Sequence, residues 1–170
     1  MYPKAYIDYL VYFHSFRDYF ECHEALEEHW KQEGKANKVW VGLIQLAVAM
    51  YHHRRGNFKG ANKQLMGAIK ILKEEKGKLS ELGINETKLM DLLYAKQIEI
   101  KKQLPYYSLS IPLNDPTVIE YCKKNSQEKG RSWGEKNIKV SIELIDKHKL
   151  RDRSQIIEER KQQLNRKRNR

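Results

Sequence analysis

Two histidines and two glutamates in this chain fall at spacings that can gather them into one polar cluster. His23 and Glu27 are four residues apart and Glu24 and Glu27 three, so on a helix their side chains share a flank. Phe20, Leu26 and Trp30 give that helix an apolar setting, and on the next apolar stretch Gln45 and His52 are seven apart and face one way. If the two helices pack face to face, His23, Glu24, Glu27, Gln45 and His52 meet half-buried. Imidazoles and carboxylates suit divalent zinc, iron or manganese, and helical bundles build such sites in their cores. His23, Glu27 and His52 are the candidate ligands for a divalent metal, and His23 with Glu24 or Glu27 is a candidate acid/base pair.

The pattern departs from the familiar metal signatures. His23-Glu24-Ala25-Leu26-Glu27 lacks the second histidine of HExxH, and there is no pair of Glu-x-x-His motifs as in di-iron bundles. The simpler reading is a hydrogen-bonded His23–Glu27 pair, completed by Gln45 or His52, that sets helix register without any cofactor. No nucleophile accompanies the cluster, because Cys22 and His23 project about 100 degrees apart on a helix. Cys22 reads as a core filler.

The elements that must position these groups read as helices throughout, with no alternating β-branched run. Pro3 opens a helix carrying Tyr6, Leu10 and Phe13, and a break follows at Ser15 to Asp18. Asp18 caps the second helix, with Glu21 three residues on, and Gly34 ends it. An almost wholly apolar helix from Asn37 to Arg55 stops at Gly56, and its partner runs from Phe58 to Glu75 and stops near Gly77. These two form a tight antiparallel hairpin, in which Ala49, Ala61, Leu65 and Ala68 allow close approach. His53, Arg54 and Arg55 read as a solvated helix end, and Gly56 to Gly60 as paired caps in preference to a phosphate loop. Asn85 caps a helix to Gln103, Pro105 to Pro116 is a packed connector pinned by Tyr106 and Tyr107, and Asp115-Pro116 starts the next helix. Further helices are expected at 118–124, 135–148 and 154–164, with 165–170 frayed.

The chain has 170 residues, 40% of them apolar and 10% aromatic, which is enough for a core and excludes a wholly disordered chain. The two cysteines, Cys22 and Cys122, are far apart and unpaired in pattern, which excludes a disulfide scaffold and fits a cytoplasmic location. The longest apolar run, Val39 to Tyr51, is too short to span a bilayer. Through residue 120 there are 17 basic and 15 acidic residues, whereas the remaining 50 carry 16 and 7, so nearly all of the formal charge of +11 lies in the last third. Lys147, Lys149, Arg151, Arg153, Arg166, Lys167 and Arg168 are the candidate contacts to nucleic acid or an acidic protein. Ile138, Ile142 and Ile145, with Leu150, Ile156, Ile157 and Leu164, form a stripe that can dock on the body or a partner helix.

The run Tyr19-Phe20-Glu21-Cys22-His23-Glu24-Ala25-Leu26-Glu27 through Trp30, then Gly42-Leu43-Ile44-Gln45-Leu46-Ala47, then His52 with Gly56-Asn57 and Gly60-Ala61, resembles the signature of domain-of-unknown-function family 309. The resemblance covers roughly residues 6 to 75. It implies a compact helical bundle of the kind found in small bacterial and archaeal proteins, and implies no particular activity. The expectation is therefore an all-α bundle of about five helices over 1–113, followed by a basic helical extension over 114–170. The functional expectation is a cytoplasmic interaction module with a partner-binding tail. The alternative is a metal-dependent enzyme using the His/Glu cluster.

Overall fold

The computed structural model describes residues 2–134, 142–146, 161–162 and 164. Helix starts follow local capping chemistry, in which a short polar side chain accepts from an otherwise unpaired first-turn amide. Asp18 accepts from the Glu21 amide at 3.1 Å at the start of α2, Tyr19–Gln32. Asn37 accepts from Val39 for α3, Lys38–Arg54, and Asn57 from Gly60 at 3.0 Å for α4, Phe58–Glu74. A short α5, Lys76–Glu81, precedes α6, Glu86–Lys101, which is capped by Asn85, and Asp115 caps α7, Pro116–Glu128, with proline in its first turn. The opening helix α1, Lys4–Val11, follows Pro3. Among the described residues a further single turn follows, α8, Ile142–Ile145.

The break expected before Asp18 is a widened π turn, Tyr12–Phe16, ending at Arg17 in the left-handed region with φ of 52°. That turn lets the chain reverse between α1 and α2. The expected stop near Gly77 is instead a brief interruption at Glu75, after which the chain re-enters a helix that contains Gly77. Gly77 has a helical backbone and open space around its Cα, so it ends nothing.

Packing runs in a chain of neighbours: α7 on α1, α1 on α2, α2 on α3, α3 on α4 and α4 on α6. The α3–α4 hairpin is the most extensive of these contacts. Close approach there rests on two glycines. A Cβ at Gly42 would come within 2.6 Å of Leu72 Cδ2, and one at Gly67 within 2.6 Å of Gln45 Oε1. Gly60, by contrast, leaves room for its own cap, because a Cβ there would strike the Asn57 side chain.

The core gathers Leu10, Phe13, Leu26, Leu43, Leu46, Met50, Leu65 and Leu72, all fully buried. Burying each such side chain stabilises the fold by roughly 1.5–3 kcal/mol before entropy is counted. Tyrosine hydroxyls crossing this core donate to backbone carbonyls, Tyr6 to Leu82 at 2.8 Å and Tyr9 to Leu43 at 2.7 Å. The 105–115 connector is packed: Leu109 and Ile111 are buried, and Ile84 and Leu113 form an isolated antiparallel bridge. Beyond residue 113, α7 seats Val118 and Cys122 in the same core, Ser126 pairs with Ser15 at 2.7 Å, and Trp133 stacks against His14 at 4.8 Å. The described residues are all-α, with no strand, and no helix among them is long and apolar enough to cross a membrane. Lys147, Lys149, Arg151, Arg153, Arg166, Lys167 and Arg168 lie outside the described residues.

Candidate functional site

Asp18 fixes where α2 begins, and helical spacing then decides which α2 residues share a flank. His23, Glu24 and Glu27 do. His23 Nε2 lies 2.8 Å from Glu27 Oε2, and its Nδ1 lies 3.4 Å from Glu24 Oε1, so one imidazole stands between two carboxylates. Lys31 closes on the other oxygen of Glu27 at 3.1 Å. The three side chains are each about a third exposed, at 31%, 36% and 32%, and water therefore weakens these pairs to the modest worth of surface salt bridges. One ligand atom from each of His23, Glu24 and Glu27 can be chosen so that all lie within 4.8 Å of one another. A single divalent ion fits such a donor set chemically, with the remaining positions left to water.

His52 stands apart from that trio. It sits in the last turn of α3 and shares with His23 a cavity of about 200 Å³ between α2 and α3, walled by Tyr19, Phe20, Val48 and Tyr51. Its tautomer follows from its neighbour. Asn57 Oδ1 accepts from the Gly60 amide, so Asn57 Nδ2 is the amino group, and it lies 3.3 Å from His52 Nδ1. His52 Nδ1 is thus the acceptor and Nε2 carries the proton. Partial burial, and then the nearby Arg55 cation, push the His52 pKa below its ordinary value, which favours this neutral form.

Gln45 does not face the cluster. Its Oε1 is buried against Gly67 of α4 and finds no hydrogen-bond partner among the described residues. The five side chains expected to converge are thus divided: His23, Glu24 and Glu27 together, His52 across a cavity, and Gln45 at the hairpin contact. Cys22 points inward, fully buried, with its thiol donating to the Tyr9 carbonyl at 3.3 Å, and burial raises its pKa well above the ordinary value.

A second polar constellation had no signature in the sequence. The end of α3 is not solvated. His53 is buried, its Nε2 lies 2.9 Å from the Leu104 carbonyl, and its ring meets Tyr106 at 5.8 Å. Arg54 donates to the Arg17 carbonyl at 2.6 Å and lays its guanidinium 4.7 Å from the Tyr19 ring centroid. Arg17, itself buried, donates to the Leu109 carbonyl at 2.6 Å, and the Tyr19 and Tyr106 hydroxyls pair. These groups tie the connector to the α2–α3 junction and hold Tyr19, one wall of the cavity. Tyr106 pins the connector as expected, whereas Tyr107 is 70% exposed. The one local hint was Tyr106 beside Pro105; Arg17, His53 and Arg54 meet it only through tertiary contacts.

A family profile described as a domain of unknown function, DUF309, matches residues 6–64. The chain is also similar to an uncharacterized protein, YpuF, of Bacillus subtilis (strain 168), at 45% identity over 168 residues that cover 98% of this chain and 97% of the relative. No solved structure matches.

Proposed function

From the premise that the chain belongs to the DUF309 family, we propose that it is a cytoplasmic interaction module whose helical bundle holds a basic C-terminal extension against an anionic partner, nucleic acid or an acidic protein surface. The observation that carries this reading is the charge distribution: 17 basic against 15 acidic residues through 120, and 16 against 7 beyond. The buried, unpaired Cys22 and Cys122 suit a reducing compartment. Neutralising phosphates releases counterions, so affinity for a nucleic acid falls linearly on a logarithmic salt scale.

The test replaces Lys147, Lys149, Arg151, Arg153, Arg166, Lys167 and Arg168 by glutamine in the full chain and follows binding to duplex and single-stranded nucleic acid at several salt concentrations. If all seven side chains meet phosphates, the salt slope falls by up to about 6 for duplex DNA. Equal binding and equal slope in both proteins would rule out the tail as anchor.

A second reading has its own observation. The His23, Glu24 and Glu27 ligand atoms converge within 4.8 Å, which favours a metal-dependent activity at that flank. Here His23 and Glu27 would hold a divalent ion, with Glu24 the third donor or a base for an ion-bound water. Calorimetric titration with zinc and manganese should detect one site that disappears in His23→Ala and in Glu27→Gln. Heats unchanged in both variants would dismiss this reading.

A further inference from the structure

We propose that the cavity between α2 and α3 is a binding site for one neutral aromatic ring bearing a hydrogen-bond acceptor, with the ring among Tyr19, Phe20, Val48 and Tyr51 and the acceptor on His52 Nε2–H. This inference stands apart from the tail and from the metal reading, since it uses neither.

Size comes first. The cleft is partly open to solvent and offers about 200 Å³, room for one ring with a small substituent. Three of the walls are aromatic, and ring pairs gain from offset or edge-on arrangements beyond the area they bury. The walls are also held in place. Tyr19 is fully buried, bonded through its hydroxyl to Tyr106 and covered by Arg54, while Tyr51 lies under the Arg55 guanidinium at 5.3 Å.

Polarity comes second. His52 Nδ1 is taken by Asn57, so Nε2–H is the remaining donor of that ring, and no hydrogen bond to it is made among the described residues. The other imidazole at the cavity, His23, has its nitrogens beside Glu24 and Glu27 and is not available to a ligand in the same way. One free donor beside apolar walls is the usual composition of a small-molecule site.

Charge comes third. An anionic ligand would approach Glu24 and Glu27 beside His23, and a cationic one would approach Arg55 beside His52. Arg55 is already paired with Asp146 at 3.0 Å, so its charge is offset and adds little attraction for an anionic acceptor on His52. With opposite charges at the two edges, a neutral molecule incurs repulsion from neither.

The experiment titrates the full chain with benzamide, following methyl resonances of Val48 by NMR, alongside cyclohexanecarboxamide and benzoate. Benzamide should shift the Val48 methyls in a saturable manner, with both comparators several-fold weaker. His52→Ala should weaken benzamide about three- to tenfold, the range of one hydrogen bond, and His52→Gln, which keeps an N–H donor, should recover part of that loss. Val48→Trp, which fills the cavity, should abolish the effect. No saturable Val48 shift with benzamide, equal binding of benzoate, or indifference to His52→Ala in a folded variant would each overturn the proposal.

Discussion

His14 lies inside the π turn with both ring nitrogens engaged, and its buried neutrality sets a measurable pH dependence. Nδ1–H donates to the Leu10 carbonyl at 2.8 Å, Nε2 accepts from the Ile111 amide at 2.9 Å, and the ring packs on Phe13 and Trp133. A proton added at Nε2 would break the bond from Ile111. Burial, assisted by the Arg17 cation, holds the His14 pKa down at about 3, against 6.5 for an ordinary histidine. The folded chain therefore refuses a proton that the unfolded chain accepts. The stability linked to His14 is fully present above pH 6.5 and is lost progressively as pH falls from 6.5 toward 3. Between pH 7 and 4.5 the loss works out at about 2.5 kcal/mol, because the unfolded histidine becomes fully protonated while the folded one stays neutral. Many carboxylates titrate in the same range, so the measurement is a difference. Urea unfolding of the wild type and His14→Gln, read from tryptophan fluorescence at both pH values, gives the margin between them. Glutamine does not titrate, and the other histidines are common to both proteins. The wild-type margin should shrink by about 2.5 kcal/mol at the lower pH. A margin constant to within about 0.5 kcal/mol would refute the claim that His14 is buried and neutral.

Gly42→Ala places a methyl 2.6 Å from Leu72 Cδ2. Overpacking of about 1–3 kcal/mol should outweigh the roughly 1 kcal/mol gain in helix propensity, so net destabilisation in urea is expected, and a stabilised variant would show the hairpin to be looser than described. A double-mutant cycle of Tyr19→Phe and Tyr106→Phe should give a coupling of about 1 kcal/mol from their shared hydroxyl pair, and zero coupling would deny that contact. Burial raises both thiols, Cys122 to about 12 and Cys22 well above its ordinary value, so the native protein should not react with a thiol reagent at neutral pH. Denaturation should release two reactive thiols, and rapid labelling of the native chain would contradict their placement.

The local signals in this chain translated directly into structure. Asp18, Asn57, Asn85 and Asp115 each cap the helix that their position and type indicated, because capping depends on a side chain and a backbone amide only two or three residues away. His23, Glu24 and Glu27 converge for the same reason: helical spacing alone puts them on one flank. Gly77 shows the limit of such signals, since a glycine stops a helix only where the backbone adopts a positive φ, and here it does not.

Everything that depended on which helix faces which lay beyond the reach of spacing. Gln45 and His52 share a face by count, yet α3 is enclosed by both α2 and α4, so Gln45 meets Gly67 while His52 meets the α2 cavity. His53 and Arg54 read as a hydrated terminus because charge at a helix end is normally solvated. The connector returning through Leu104, Tyr106 and Leu109 covers them instead, and one polar atom of each then bonds to a backbone carbonyl, His53 Nε2 to Leu104 and Arg54 Nη1 to Arg17. The composition and periodicity of this chain determine an all-α fold, its helix starts and a histidine with two carboxylates on α2. The cavity, the His52 tautomer that gives it a donor, and the Arg17 and Arg54 contacts beside it come only from tertiary packing, which brings Arg17 and Leu109, 92 positions apart, within hydrogen-bonding distance.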